Sequence, residues 1–448
     1  MDEHARQAAL DLITVADAVQ LTRALVDIPS TTGYERPCAV FLHDFMREAG
    51  VDVHLQEIAE GRANVVATLR GDGSGPTLML NGHLDTSGVG EMADDYPGLG
   101  VLTPNDYAKS FEVERGIYGL GAFNMKGGDA ANFLALRALQ RASVRLPGHV
   151  MASGVAGESE KAPVQGAVRT YEGAKYRGSG YGTRYLLMHC EPIDYAIIAE
   201  PSDLYVVNAQ AGYLFVKIVV WGRAGFLSVR GSQSSGPAVN ALDEAIEVVR
   251  AIRDWAPGYT ERHKYDSGLG TLDPQVTVGA IDGGWPYKPS YAPGVCHLYV
   301  NIRTTPDMTG PQALAELDDC LKALAAERST LRYDLEVYCS NVPSTVTPVD
   351  SVLCRTAIEV MEQRLGFPTR PFGRGEGNPS NDTNIFRRHG IPAIKCGPKT
   401  RTEANGREMM IQHGAHVYPD DIVAAARFNI HMAFELSGRT RAEIASLG

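Results

Sequence analysis

Polar residues that can bind a metal or move protons follow several short apolar runs of the chain. His83 and Asp85 follow LMLNG, Glu158 and Glu160 follow HVMASGVAG, and Glu200 follows DYAIIA. Imidazole and carboxylate groups, with no cysteine among them, are ligands that suit Zn²⁺, Mn²⁺ or Co²⁺. A metal held in this way activates water as a nucleophile, and a neighbouring carboxylate accepts its proton. These residue types therefore predict a candidate site for a divalent metal.

His83 and Asp85 are separated by a single residue at the end of a predicted strand. Because strand side chains alternate between faces, both point to one side, where the carboxylate can orient the imidazole for metal binding. For this motif alone, a surface turn with incidental polar residues is the alternative. The segment QHGAH supplies His413 and His416 as further candidates for binding metal or substrate.

Elements that would bring these residues together can be predicted from the hydrophobic pattern. Residues 15 to 50 predict a helix, a turn and a second helix, and GGDAANFLALRALQRA predicts a helix between two strands. The short apolar runs that end in Gly, Asp or Pro indicate buried strands of a doubly wound, mostly parallel sheet. Ligands bind outside the carboxyl ends of such strands, where the polar residues lie.

The pattern changes near Gly212, where strands and two helices follow in an order typical of a small α+β domain with a ferredoxin-like arrangement. After about residue 340 the helix and strand pattern of the first part resumes. We predict an α/β catalytic domain formed by residues 1–210 and 339–448. Residues 211–338 would be an inserted lid or dimerisation domain.

Composition excludes several classes of partner. The net charge is −11 without a basic run, so neither nucleic acid nor anionic lipid is an expected partner. The charged N-terminus lacks the apolar core of a signal peptide, and no stretch is long and apolar enough to span a membrane, which predicts a cytoplasmic protein. Seven cysteines without paired short spacing predict free thiols and no disulfide framework.

Five motifs in a fixed order carry a family resemblance: GHLDT, YGLGAFNMKGG, GESE, AEP and SNDTNIFRRHGIPAIKCGP. They resemble the zinc-dependent peptidase and deacylase family that includes carboxypeptidase G, acetylornithine deacetylase, succinyl-diaminopimelate desuccinylase and aminoacylase. The resemblance covers nearly the whole chain. It implies His83 as a metal ligand, Asp85 as the partner that orients it, Glu158 as general base and Glu200 as a second metal ligand.

The chain departs from that family at both carboxylates that would hold a second metal. Asn124 stands where the family has an Asp that bridges two metals, and Ser159 stands where it has a ligand Glu. Glu160 is the alternative if the Glu pair is offset by one residue. The late His of the family matches His413, with His416 as the other candidate.

Two dications about 3.5 to 4 Å apart repel by roughly 17 to 19 kcal/mol at an effective dielectric of 20, which surrounding carboxylates must offset. Because two of those carboxylates are missing, we expect one divalent metal, Mn²⁺, Zn²⁺ or Co²⁺. His83 and Glu200 would hold it, and Asn124 would contribute a neutral amide oxygen.

At three positions of the predicted insertion where the family contacts substrate, this chain differs from the family twice and matches it once. Phe226 replaces a His that reaches from a partner subunit toward an oxyanion, Lys288 falls on the place of an Asn, and Arg303 matches the usual Arg. Together they could form a wall for an aromatic acid, with a cation for its carboxylate. As alternatives, Phe226 is a core residue of the lid and Lys288 lies in a solvated turn.

The resemblance and its departures predict a metal-dependent hydrolase that cleaves a C–N bond of a small carboxylate-bearing molecule. An aromatic amine is one substrate class, as in the deamination of 5-nitroanthranilate by a family member. A conventional N-acyl-amino-acid deacylase or dipeptidase is the alternative, and a non-catalytic small-molecule binding protein is a third. We expect a homo-oligomer formed through the inserted domain.

Overall fold

The computed structural model describes residues 2–100, 106–166, 168–226, 238–399 and 416–447. Its helices are α1 (Glu3–Asp11), α2 (Val15–Val26), α3 (Arg36–Glu48), α4 (Met92–Leu99), α5 (Gly127–Arg141), α6 (Tyr181–His189), α7 (Ala241–Arg262), α8 (Gly310–Glu327), α9 (Val352–Glu359), α10 (Arg374–Gly377), α11 (Thr383–Arg388), α12 (Pro419–Leu436) and α13 (Arg441–Ala445). Across the described ranges, none of these helices has the length and apolar character needed to cross a bilayer.

The strands, in chain order, are β1 (Asp52–Ala59), β2 (Arg62–Leu69), β3 (Leu78–His83), β4 (Phe111–Val113), β5 (Gly116–Tyr118), β6 (Val150–Val155), β7 (Tyr195–Ile198), β8 (Ala209–Gln210), β9 (Gly212–Trp221), β10 (Gly225–Phe226), β11 (Tyr265–Asp266), β12 (Thr271–Leu272), β13 (Val276–Gly283), β14 (Tyr291–Ala292), β15 (Val295–Thr304), β16 (Arg332–Val342), β17 (Thr345–Val346) and β18 (Ala393–Lys395). Helical turns also form over Ala122–Lys126, Ala174–Tyr176 and Val360–Arg364.

The central sheet has the strand order β1-β2-β6-β3-β7-β18. Strands β6, β3, β7 and β18 are parallel, which confirms the predicted doubly wound, mostly parallel sheet. The edge formed by β1 and β2 is antiparallel. Only Glu60 and Gly61 connect these two strands, and a connection this short produces a hairpin, because a parallel pair needs a long crossover.

Helix α5 lies at the centre of the catalytic core. Its residues from Gly127 to Leu139 are buried, and α12 packs along it. A Cβ atom at Gly128 would overlap the carbonyl oxygen of Ala199, so the helix can begin this close to the end of β7 only with glycine at that position. This close approach brings the loop before α5 to the carboxyl ends of β3 and β7.

A second sheet, with the order β13-β15-β9-β16 and antiparallel neighbours throughout, lies within residues 212–342, which we call the lid. Apolar side chains of β9 and β15 pack against α7 and α8 on one face. The order strand, helix, two strands, helix, strand is the predicted ferredoxin-like arrangement. Short strands β8 and β17 pair where the chain enters and leaves the lid, beside the predicted boundaries at 211 and 338.

The cysteines are all free thiols, as their spacing predicted. Cys190 and Cys320 are partly exposed, and the others are buried. Burial raises the pKa of the Cys38 thiol to about 11, so this thiol stays protonated at neutral pH.

Candidate metal centre and active site

A cleft of about 610 Å³ opens at the carboxyl ends of β3, β6 and β7, between the catalytic sheet and the lid. Its polar lining includes His83, Asp85, Asp94, Asp95, Asp106, Asn124, Glu158, Ser159, Glu160, Glu200, Gln275, Arg303, Asn378 and Ser380. The strand-end residues that the sequence singled out therefore meet in one place. Because parallel strands end at one edge of a sheet, residues far apart in the chain become neighbours there.

His83, Glu158 and Glu200 form a buried cluster whose ligand atoms all lie within 4.8 Å of one another. The Nε2 atom of His83 is 3.7 Å from Oε2 of Glu158 and 3.6 Å from Oε1 of Glu200. Oδ1 of Asn124 is 2.9 Å from the same Nε2 atom. Two carboxylates, one imidazole and one amide oxygen thus converge on one point.

The hydrogen bonds of His83 indicate which of its nitrogens is free for a metal. Nδ1 lies 3.0 Å from the backbone carbonyl oxygen of Asp85, and a carbonyl can only accept, so Nδ1 carries a proton. In a neutral ring Nε2 then has a lone pair that faces Asn124 Oδ1, which is also an acceptor. With Nε2 unprotonated, this nitrogen, Asn124 Oδ1 and the carboxylate of Glu200 form a donor set that fits one divalent cation, and the carboxylate of Glu158 lies beside it.

The electrostatics of the cluster support the same conclusion. Burial, followed by the charges of Glu200 and Asp382, raises the pKa of Glu158 well above its usual value. Burial lowers the pKa of His83, but the carboxylates of Asp85 and Glu200 more than offset this and raise it overall. A dication among these groups would relieve the repulsion between the carboxylates.

Asp85 orders the loop that carries the predicted general base. Its Oδ1 accepts from the backbone N–H of Glu158 at 2.8 Å, and its Oδ2 accepts from the N–H of Ser159 at 3.1 Å and from Thr32 Oγ1 at 2.9 Å. The sequence predicted that this carboxylate orients His83, yet Oδ1 is 3.6 Å from Nδ1 and the backbone carbonyl is closer. Asp85 therefore orients the His83 ring through its backbone carbonyl and holds the loop of Glu158 and Ser159 through its side chain.

Glu160 points to the lid. Its carboxylate accepts two hydrogen bonds from the guanidinium of Arg303, while Ser159 remains buried beside Asp85. The structure therefore does not place Glu160 beside the metal cluster in the position expected for Ser159. An ion pair with a cation of the lid is the more favourable contact for a carboxylate already surrounded by others.

Three residues that the sequence analysis did not single out lie around Glu200. Asn381 Nδ2 donates to Glu200 Oε2 at 3.3 Å, and Lys395 Nζ is 3.8 Å from the same oxygen. Asp382 is buried, and burial raises its pKa to about 6 despite a hydrogen bond from Thr183. A lysine within the apolar strand PAIKC was the signal that could have revealed one of them, because buried charges are rare without a partner.

The two candidate histidines of QHGAH are placed differently. His413 lies outside the described residues. His416 is buried, and its ring stacks on Tyr118 at 4.5 Å and lies 5.1 Å from Tyr418 between centroids. His416 is not among the described residues that line the cleft.

Phe226 and Lys288 contact each other on the lid. Lys288 Nζ lies 5.0 Å from the centre of the Phe226 ring, which meets Tyr291 edge-on at 5.0 Å. Phe226 is 45% exposed, so it is not a core residue of the lid. Neither side chain is among the described residues that line the cleft of the same chain, whereas Arg303 is.

Residues 79–435 match the sequence model of peptidase family M20/M25/M40. The chain is 27% identical to acetylornithine deacetylase of Photorhabdus laumondii over 364 residues, 78% of this chain and 82% of that protein. A tripeptidase from Staphylococcus aureus has a similar fold, with a TM-score of 0.68, 17% identity and coverage of 96% of this chain and 100% of the other. A dinuclear metal binding M20 peptidase from Bacillus subtilis gives a TM-score of 0.62, 12% identity and coverage of 94% and 97%. The motif resemblance is confirmed: the chain belongs to peptidase family M20/M25/M40 and is a metal-dependent hydrolase of C–N bonds.

Proposed function

We propose that this enzyme binds a single divalent metal ion and hydrolyses one C–N bond of a small molecule, so that a hydroxyl group from water takes the place of the nitrogen on carbon. The observation that carries the proposal is the convergence of His83, Glu158 and Glu200 with the neutral amide of Asn124. In the part of the chain that the structure describes, this is the one cluster of three such ligand side chains. Imidazole and oxygen ligands favour Mn²⁺, Zn²⁺ or Co²⁺.

A metal count of one is supported by the charges around the cluster. A second dication would need carboxylates where the chain has Asn124 and Ser159. The other side of Glu200 already faces a cation, because Lys395 Nζ is 3.8 Å from Oε2. Of the carboxylates near His83, both oxygens of Asp85 accept from backbone N–H groups, and Oδ2 of Asp382 accepts from Thr183 and Asn81.

Glu158 is the proposed general base and then the general acid. A divalent metal at this site supplies Lewis acidity, which lowers the pKa of water. Glu158 takes the proton of the attacking water and returns it to the leaving nitrogen. The carboxyl holds that proton between the two steps. The hydrogen bond from its N–H to Asp85 keeps the carboxyl in position.

For the substrate, we propose an aromatic amine whose ring is electron-poor. In attack on such a ring, negative charge spreads into the ring and its withdrawing substituent, so no oxyanion donor is needed. This fits the replacement of the family's His by Phe226. A conventional N-acyl-amino-acid deacylase or dipeptidase is the second candidate, favoured by the match to acetylornithine deacetylase and by the fold of the tripeptidase.

The test is a panel of nitro-substituted anilines and N-acyl amino acids, incubated with the enzyme in Mn²⁺, Zn²⁺ or Co²⁺ buffer. Release of ammonia or of a free amino acid reports which bond is cleaved. Turnover of the anilines alone supports the aromatic substrate class. Turnover of N-acyl amino acids at ordinary enzymatic rates establishes the deacylase instead, and no turnover of any member by metal-loaded enzyme contradicts both substrate classes.

Phe226→His is expected to leave activity on the true substrate unchanged or to lower it. An oxyanion donor contributes about 2.7 to 4 kcal/mol only where charge develops on an oxygen within its reach, and in attack on an electron-poor ring the charge moves away from the attacked carbon into the ring and its withdrawing substituent. The ring of Phe226 is 45% exposed and thus available to a second copy of the chain. The measurement is kcat/KM on the best substrate of the panel. A rate increase would contradict the aromatic substrate class.

A further inference from the structure

We propose that Glu160 determines the substrate specificity of the cleft by occupying Arg303. The substrate group that lies beside this pair would then be uncharged or cationic, and not a carboxylate. This inference rests on the proposed hydrolase function and names the substrate class more closely. It also replaces the expectation from the sequence that Arg303 binds a carboxylate of the substrate.

The contact between Glu160 and Arg303 joins both oxygens of the carboxylate to the two terminal nitrogens of the guanidinium. Arg303 Nη1 donates to Oε1 of Glu160 at 2.5 Å, and Nη2 donates to Oε2 at 2.7 Å. Oε1 also accepts from the backbone N–H of Ser380 at 3.2 Å. Two parallel charge-assisted hydrogen bonds are the strongest arrangement available to this pair of side chains. The face of the guanidinium that a substrate carboxylate would use is therefore already taken.

Both partners are held in place. The side chains of Arg303 and Glu160 are 17% and 26% exposed. The guanidinium lies 5.4 Å from the ring centre of Tyr213, whose hydroxyl donates to Ser179 Oγ at 2.6 Å. A substrate carboxylate would have to displace Glu160 and leave it unpaired in a partly buried position. Leaving one member of such a pair without its partner is costly.

The remaining charge of the cleft disfavours anions as well. The carboxylates among the described lining residues are Asp85, Asp94, Asp95, Asp106, Glu158, Glu160 and Glu200. Arg303 is the one Lys or Arg of that described lining, and Glu160 neutralises it. Even with one dication bound, carboxylates outnumber positive charges. Because a cleft lined by one sign of charge concentrates ligands of the opposite sign, neutral and cationic groups are favoured.

Binding of benzoate and benzamide tests the inference. The two ligands have the same shape and differ in charge, and both are titrated calorimetrically into the metal-loaded protein. We expect the wild type to bind benzamide at least as tightly as benzoate. Glu160→Gln frees the guanidinium, so the affinity for benzoate relative to benzamide should rise by about tenfold or more. Adding Arg303→Gln to that variant should abolish the rise.

Asp94→Asn is the matched control, because it removes one exposed carboxylate from the lining of the same cleft without contacting Arg303. It should shift the affinity ratio by no more than a few-fold, since an exposed charge is screened by solvent and salt. Glu160→Asp is a second variant that keeps the charge and shortens the side chain. It should give a ratio between those of the wild type and Glu160→Gln. Thermal unfolding of each variant verifies that it is folded.

Two results would overturn the inference. One is a wild-type protein that prefers benzoate about tenfold or more and loses that preference in Arg303→Gln. The other is a folded Glu160→Gln variant with an unchanged affinity ratio. These are binding measurements, so they do not depend on which substrate is turned over. Failure of the proposed function would appear separately, in the substrate panel, as turnover of N-acyl amino acids alone or of no member by the metal-loaded enzyme.

Discussion

Glu158→Gln is expected to lower kcat by about 10²-fold or more while substrate affinity changes by no more than a few-fold. The amide has nearly the same shape as the carboxyl, but it cannot accept a proton from water or return it to nitrogen. The Glu158 side chain is only 10% exposed and lies beside His83 and Glu200, so few other groups can take its place. Steady-state kinetics on the best substrate of the panel, with a fluorescence titration for binding, provide the measurement.

A matched control for this substitution is Glu359→Gln on α9, an exposed carboxylate that does not line the cleft. It should leave kcat unchanged. If Glu158→Gln stays within a few-fold of the wild type, the general base is a different group. Glu160 would be the next residue to test, although its bonds to Arg303 make it a poor base in the structure.

Asn124→Asp combined with Ser159→Glu is expected to raise the metal content from one ion to two per chain. The two substitutions restore carboxylates at the positions where the family holds a second metal, and these charges offset the repulsion between two dications. Asn124 Oδ1 is already 2.9 Å from His83 Nε2, so a carboxylate there would face the first metal directly. Elemental analysis after dialysis against metal-free buffer measures the content.

Ser159→Ala with Asn124 unchanged is the control for this pair, and it should retain one ion. Asn124→Asp alone should tighten binding of the first ion without adding a full second equivalent, because Ser159 still offers no charge. Two tightly held ions in the wild-type enzyme would contradict the one-metal proposal. In that case the conventional dinuclear deacylase or dipeptidase becomes the better description.

Much of the site could be predicted from short-range sequence pattern. His83, Glu158 and Glu200 each follow an apolar run, and parallel strands end at one edge of a sheet, so pattern alone places them together. The same periodicity predicted the buried helix α5 and the change of fold at the lid. The β1 and β2 hairpin was not predicted, because β1 alternates between exposed and half-buried residues and lacks a clear apolar run.

The tertiary structure decided which charged side chains pair with each other in the cleft. Glu160 and Arg303 are 143 residues apart, and only the docking of the lid sheet on the catalytic sheet brings the carboxylate to the guanidinium. Lys395 approaches Glu200 because β18 and β7 are parallel neighbours. Local sequence specifies which face of a strand a residue occupies. Which charge it meets there depends on how distant elements pack, and no local pattern contains that information.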